Sequence, residues 1–395
     1  VKVPLSSALA AMALMVTTIA SAATPHWLLD DARSLSQVIA RIDRDGLDPI
    51  DYDQPGLDRT ISKGESAELD AIALQTFRRL ASDLWQGHVR GNSRIGWHID
   101  GPVADKEALD ELTTYALTDH RVAQALDALT PRNPEYVALK AMLAKAPPID
   151  AATRSRIRAN MERWRWLPRD PGARYILVNI PGFTAELINN GRVIASHRVI
   201  VGKPSSPTPQ FAATVTGVIL NPWWEVPSSI VAESVGRLVR TNPAKARAEG
   251  YVTSAIPGGG VRIRQAPGPK NALGQMKLVM PNPFTVYMHD TPSKALFEKP
   301  SRAFSHGCIR TDKPIDFATA LLDTAPGWTR PRIDGVLASG HSTKVDLATR
   351  IPVYIVYFTM RAHADGSVTM PPDIYKRDQA VMEALTDREG EVPGE

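Results

Sequence analysis

Apolar positions in the first 165 residues recur at spacings of three and four. Leu69, Ile72, Ala73, Phe77, Leu80, Ala81 and Leu84 mark one face of a helix that ends at Trp85-Gln86-Gly87. Leu109, Leu112, Ala116, Ala123, Leu126 and Leu129 repeat the pattern before Pro131, and Pro134 opens a helix reaching Ala144. A further helix from Ala151 to Trp166 stops at Pro168. At Tyr175 the period becomes that of strands. Tyr175 to Ile180, Phe183 to Ile188 and Val193 to Val201 read as β runs, and Asn190-Gly191 between two of them is a strong hairpin signal. Val215 to Leu220, Leu278 to Met280, Thr285 to Met288 and Pro352 to Met360 predict more strands.

Between about Pro222 and Gly274 lies a segment with Trp223-Trp224, a helical stretch from Ile230 to about Arg247, and the turn Gly258-Gly259-Gly260. It reads as an insertion borne by the sheet and placed to cap a site. The Gly run lacks the Lys-Ser/Thr of a phosphate loop and joins no clear strand to a helix, so it is a turn. Lys203-Pro204 to Pro209 reads as a loop. The fold class expected is α+β and multidomain: a helical scaffold over residues 23–168, then a mostly β domain over 172–340 with a helical lid insertion at about 222–274. Residues 341–395 are expected to extend the C-terminus, packing on the β domain and fraying from about Asp387.

Composition narrows the class. Of 395 residues, 43% are apolar and 22% charged, which excludes a disordered chain and a multi-span membrane protein. The net charge of +4 is spread without a Lys/Arg run, so nucleic acid is not indicated, while an acidic polymer such as a cell wall is compatible. Residues 1–22 read as an export signal: Lys2, an apolar stretch from Ala8 to Ile19, and the small-x-small site Ala20-Ser21-Ala22. No later stretch has the roughly 20 apolar residues of a membrane span. No Cys stands at the cleavage site, so an N-terminal lipid anchor is not expected. The chain has a single Cys, Cys308, which therefore makes no internal disulfide.

The candidate chemistry gathers around that thiol, in Tyr287-Met288-His289-Asp290-Thr291-Pro292 and Arg302-Ala303-Phe304-Ser305-His306-Gly307-Cys308-Ile309-Arg310. A thiol attacks only as thiolate, favoured by a nearby imidazole or guanidinium, and a nucleophile needs a base that works near pH 7. His289 ends a predicted strand and His306 lies two residues before Cys308. Gly307 lets the backbone approach a substrate, and N–H groups around Gly307-Cys308 are candidates to hold an oxyanion. Taken singly, a His or a Cys is more often structural. A metal site built from His289, Asp290, His306 and Cys308 is disfavoured because the closely paired ligands of common zinc motifs are missing.

Ser305-His306-Gly307-Cys308, with a His seventeen residues before His306, resembles the motif of YkuD-type L,D-transpeptidases of bacterial cell walls. Further resemblance runs through Arg163-Trp164-Arg165-Trp166-Leu167-Pro168, Asn221-Pro222-Trp223-Trp224-Glu225-Val226-Pro227, Arg264 to Gly268 and Asn271-Ala272-Leu273-Gly274, and points to the periplasmic YcbB-type branch with a helical scaffold. The resemblance implies that Cys308 attacks the carbonyl between the third residue (a diamino acid) and the D-Ala of a donor stem tetrapeptide. His289 would be the general base, its other ring nitrogen oriented by a carbonyl such as that of Asp290, with Ser305, His306 and Gly307 shaping the nucleophile loop. A side-chain amine of a second stem would resolve the thioester into a 3-3 cross-link. No cofactor or metal is implied, and the partners would be peptidoglycan stems and other cell-wall synthesis proteins, in the periplasm.

Arg302 and Arg310 are candidates either to grip a stem carboxylate or to fix loops. Tyr287, Trp223 and Trp224 either line the donor channel or pack the core. Lys145 to Thr153 leaves no room for the peptidoglycan-binding module usual in that branch, so targeting falls to the scaffold, the insertion or a partner. Two other functions compete: an L,D-carboxypeptidase that passes the acyl group to water, and a wall-binding scaffold with an inactive site.

Overall fold

The computed structural model describes residues 3–4, 25–144, 150–363 and 366–386. The expected export signal, apart from residues 3–4, and the expected tail from Asp387 lie outside them. The chain forms two compact units, Val1–Pro171 with Phe358–Glu395, and Gly172–Tyr357.

The first unit is helical, with α1 Leu29–Ile39, α2 Gln54–Lys63, α3 Ala67–Gln86, α4 Lys106–Thr118, α5 Val122–Asp127, α6 Pro134–Ala144 and α7 Ala151–Arg165. Side-chain oxygens cap the starts of α2, α3, α4 and α7: Asp53 accepts from Gly56 N at 3.1 Å, Ser66 from Leu69 N at 3.2 Å, Asp105 from Ala108 N at 2.9 Å and Asp150 from Thr153 N at 2.9 Å. The apolar stripe of α3 meets α1, α2, α4 and α5 in one core around Trp27, Leu35, Phe77 and Leu80. The pattern from Leu109 to Leu129 becomes two helices because His120 takes a left-handed conformation (φ 53). Its N–H then bonds Leu117 O at 3.3 Å and that of Arg121 bonds Ala116 O at 2.7 Å, the paired bonds that close a helix C-terminus.

A buried polar cluster joins α7 to this unit. Glu162 and Arg165 are fully buried and paired at 3.0 Å. Glu162 also accepts from Val89 N at 2.8 Å and Trp166 Nε1 at 3.0 Å, and Arg165 donates to Tyr136 Oη at 3.0 Å and to the Asp45 carbonyl. Residues 358–386 complete the unit. Arg163 pairs with Asp378 at 2.6 Å, Thr359 N donates to Asn160 Oδ1 at 2.9 Å, and Val381 and Leu385 pack with Val89, Ala159 and Trp166. Of the stretch 341–395 expected to extend the β domain, Thr343–Val356 does lie in the second unit, whereas 358–386 belong to the first. The buried Arg163 needs a carboxylate, and Asp378 on the helix Asp378–Ala384 provides it.

The second unit has strands β1 Arg174–Asn179, β2 Thr184–Asn189, β3 Arg192–Gly202, β4 Gln210–Leu220, β5 Trp224–Glu225, β6 Tyr251–Ala255, β7 Val261–Gln265, β8 Met276–Val279, β9 Met288–His289, β10 Ala303–Ser305, β11 Ile309–Thr311 and β12 Thr343–Val356. Pairing runs β8-β9-β11-β3-β2-β1-β12-β4 and returns from β4 to β8, so the sheet closes on itself. The expected hairpin forms at Asn190 (φ 47) and Gly191 (φ 74), both left-handed as a two-residue turn requires. Thr285 to Tyr287, expected in a strand, stays out because Thr285 itself is left-handed (φ 57).

The insertion is not purely helical. β5, β7 and β6 make a three-stranded sheet beside short helical pieces, including a π-helical turn at Val231–Val235. Its base is pinned by buried Asn271, whose Nδ2 donates to Pro222 O (3.1 Å), Gln265 O (3.2 Å) and Ala266 O (2.9 Å). Among the described residues no helix is long and apolar enough to cross a membrane.

Candidate active site

Short strands β9 and β11 pair in parallel, with Met288 opposite Ile309 and His289 opposite Arg310, and Ile309 N bonds Tyr287 O at 3.0 Å. On the other side Lys277 of β8 lies opposite His289. Alternate residues of a strand share a face, so Tyr287, His289, Cys308, Arg310 and Lys277 line one surface. His289 sits between two cations there, with Cys308 diagonal to it.

The loop before Cys308 is held from within. Ser305 Oγ donates to Cys308 O at 2.5 Å and accepts from Gly307 N at 3.1 Å, while Gly307 O accepts from Thr208 Oγ1 at 2.8 Å. Gly307 has φ 114, a conformation that disfavours any side chain. Its N–H is therefore spent on Ser305 and is withdrawn as an oxyanion donor, a correction to the sequence expectation. The Cys308 N–H has no partner among the described residues and is left for that task.

His289 is 5% exposed, and its Nδ1 contacts the Asp290 carbonyl. A carbonyl only accepts, so Nδ1 bears the hydrogen and Nε2 keeps its lone pair. Burial first, then Arg310, lowers the imidazole from its ordinary range to about 3, against the raising effect of the Asp290 carbonyl. The Asp290 carboxylate is structural. It accepts from Gln275 N at 2.8 Å and Thr291 N at 2.6 Å and pairs with Lys294. A Cβ on Gly274 would lie 2.2 Å from its Oδ2, so only glycine lets this clamp close behind His289.

Burial pushes the Cys308 thiol up, against the opposing pull of the Tyr287 backbone, Lys277 and Arg310. Cys308 Sγ faces Thr285 O at 4.0 Å, with no hydrogen bond to His289. The resting pair is thus a neutral thiol beside a neutral imidazole. Alkylation of Cys308 by iodoacetamide should accordingly rise roughly tenfold per pH unit from 6 to 9. A plateau below pH 8 would instead reveal a preformed thiolate–imidazolium pair.

Other candidates fall differently. Arg302 donates to three carbonyls at 3.2 Å (Val199, Lys299 and Phe183) and lies over the Phe183 ring. These three bonds tie loops together and engage three of its five N–H groups. Arg310 keeps its donors. His306 turns outward to Glu233 of the insertion, Nε2 to Oε2 3.1 Å. Trp224 is buried and packs near Tyr251, whereas Trp223 is 39% exposed beneath Arg264. The Tyr287 hydroxyl lies by Trp224 and the thiol, and burial raises its pKa. Sequence reasoning missed Lys277, whose Nζ stands 3.9 Å above the Tyr287 ring. Its strand alternation (Met276, Leu278 buried) placed it on the opposite face, but only pairing revealed what shares that face. Among the described residues no group of three or more His, Cys, Asp or Glu side chains is placed to hold a metal.

Residues 173–350 match the L,D-transpeptidase catalytic domain of the YkuD family, and residues 20–143 match the Scaffold domain family. A Haemophilus influenzae protein assigned by inference as an L,D-transpeptidase is 32% identical over 238 residues, 56% of this chain and 48% of its own length. This chain spans about half of that relative. An L,D-transpeptidase from Mycobacterium smegmatis is similar at 16% identity and TM-score 0.25, over 47% of this chain and 58% of its own. The catalytic domain of an E. faecium L,D-transpeptidase is similar at 15% identity and TM-score 0.19, over 46% of this chain and 96% of its own.

Proposed function

We propose, since residues 173–350 match the L,D-transpeptidase catalytic domain of the YkuD family and residues 20–143 the Scaffold domain, that this protein forms 3-3 cross-links between peptidoglycan stems through a Cys308 thioester. The observation that supports this most is the face shared by Cys308 and His289, with Nδ1 of His289 tied to the Asp290 carbonyl and Nε2 open to take a proton.

Cys308 Sγ attacks the carbonyl between the third residue and D-Ala of a donor tetrapeptide as His289 Nε2 takes the thiol proton. Because neither group is ionised at rest, proton transfer accompanies attack and does not precede it. The Cys308 N–H faces the developing oxyanion. The C–N bond breaks, the proton passes from His289 to the leaving amine, and D-Ala departs, leaving the thioester. A side-chain amine of a second stem attacks that thioester, yields its proton to His289 and frees the thiol. Tyr287 and Trp224 border the donor side. The site of action is the periplasm.

The test is mass analysis of products from disaccharide-tetrapeptide fragments mixed with the protein. A cross-linked dimer lacking one D-Ala is expected, and tripeptide alone would make the protein an L,D-carboxypeptidase instead. His289→Ala should slow acylation by roughly 100-fold or more, the usual scale for loss of a general base. A near-normal rate would take the base role away from His289.

A further inference from the structure

Arg310 is half-buried, and among the described residues its guanidinium has no hydrogen-bond or ion-pair partner. Its Nε is enclosed and has no hydrogen-bond partner, and no carboxylate pairs with its guanidinium among the described residues. Every other arginine close to the nucleophile loop is used: Arg302 on three carbonyls, and Arg198 on Asp312 at 2.7 Å and Glu298 at 3.0 Å. Leaving a buried donor unsatisfied costs stability, so an empty guanidinium at a site is a place prepared for an acceptor.

The space in front of Arg310 is a cleft of about 390 Å³ between the insertion and the sheet. Tyr251, Gln265 and Ala272 of the insertion form one wall, and Thr291 to Ser293, just past the clamp behind His289, form another. Lys270 and Glu249 also border it, so Arg310 leaves the cleft with an excess of positive charge. Arg310 lies two residues beyond Cys308 and directly opposite His289. A group held on Arg310 therefore lies beside the strand pair that carries Cys308 and His289.

We propose that this cleft reads a carboxylate of the donor stem, with Arg310 taking it through a two-pronged hydrogen-bonded ion pair. The planar fork of Arg matches a carboxylate in a way that a lysine does not. Two carboxylates of a donor tetrapeptide lie close enough to the attacked carbonyl: that of the terminal D-Ala, and a side-chain carboxylate on a diaminodicarboxylic third residue. The inference rests on the transpeptidase reading above and makes Arg310 a specificity residue. The carboxylate would also offset the positive charge that Arg310 places beside His289.

The test measures kcat/KM for release of the fourth residue from three peptides: a free tetrapeptide, its C-terminal amide, and its third-residue side-chain amide. Wild type is expected to prefer the free acid to one of the two amides by roughly 10- to 100-fold, the scale of a charge-assisted pair, and the amide that suffers identifies the carboxylate. Arg310→Gln should lower the rate on the acid by a similar factor and erase the preference, and Arg310→Lys should restore it only in part. Binding of the same peptides to Cys308→Ala protein, read by calorimetry, should show the same preference without turnover. Equal rates on all three peptides in wild type, or a preference that survives in Arg310→Gln, would overturn the inference alone. No turnover of any peptide by wild type would instead sink the transpeptidase reading, and this inference with it.

Discussion

Cys308→Ala should form no acyl-enzyme at all. Intact-protein mass after mixing with a tetrapeptide should rise by the acyl group in wild type and stay unchanged in the variant. The loss should be complete because Cys308 is the only cysteine in 395 residues and a thioester can form on no other side chain. Folding should survive. The side chain makes only weak contacts, with Thr285 O and Tyr287, while the backbone of the loop is braced by Ser305 and Thr208. Acylation of the alanine variant, at any rate above that of peptide in buffer, would remove the thioester from the mechanism.

The largest stability effect expected is in the helical unit, for Glu162→Ala. Arg165 would remain fully buried without its partner, and the donors Val89 N and Trp166 Nε1 would lose their acceptor. Breaking a buried pair in this way typically costs about 3–5 kcal/mol. Hydrogen exchange of amides in α3 and α7 should therefore quicken by on the order of 10²- to 10⁴-fold. Unchanged protection would mean that the cluster contributes nothing net. There is a pH counterpart. Burial alone would raise the Glu162 pKa, yet Arg165, Trp166, Arg94 and the Val89 N–H hold it below its ordinary 4.5. A carboxylate held low stabilises the fold above its unfolded pKa and loses that contribution as pH falls below about 4.5. Glu162→Gln should flatten that acid limb.

The catalytic pair was legible in sequence because its parts are local: a Ser-His-Gly-Cys run, and a His at the end of a strand. The helices were legible for the same reason, since a 3.6-residue period is written within a few turns. What could not be read depends on partners far along the chain. Arg302 and Arg310 are equivalent as letters, and they separate only when Val199 and Phe183 occupy the donors of one and not the other. His306 looked like part of the nucleophile loop, but its partner Glu233 lies 73 positions away. Lys277 gained meaning only when β8 paired with β9. Assignment of 358–386 to the first unit depended on Arg163 and Asp378, 215 positions apart.

That last arrangement imposes an order of assembly. Synthesis runs from the N-terminus, so α7 emerges with Arg163 and Asn160 long before Thr359 and Asp378 exist to satisfy them. All of Gly172–Tyr357 must be made in between. A nascent first unit thus carries buried-to-be polar groups without partners while the intervening domain is translated, and loops that close over such separations form slowly. Shortening the chain before residue 378 would injure the unit made first and leave the sequence of the unit made second intact.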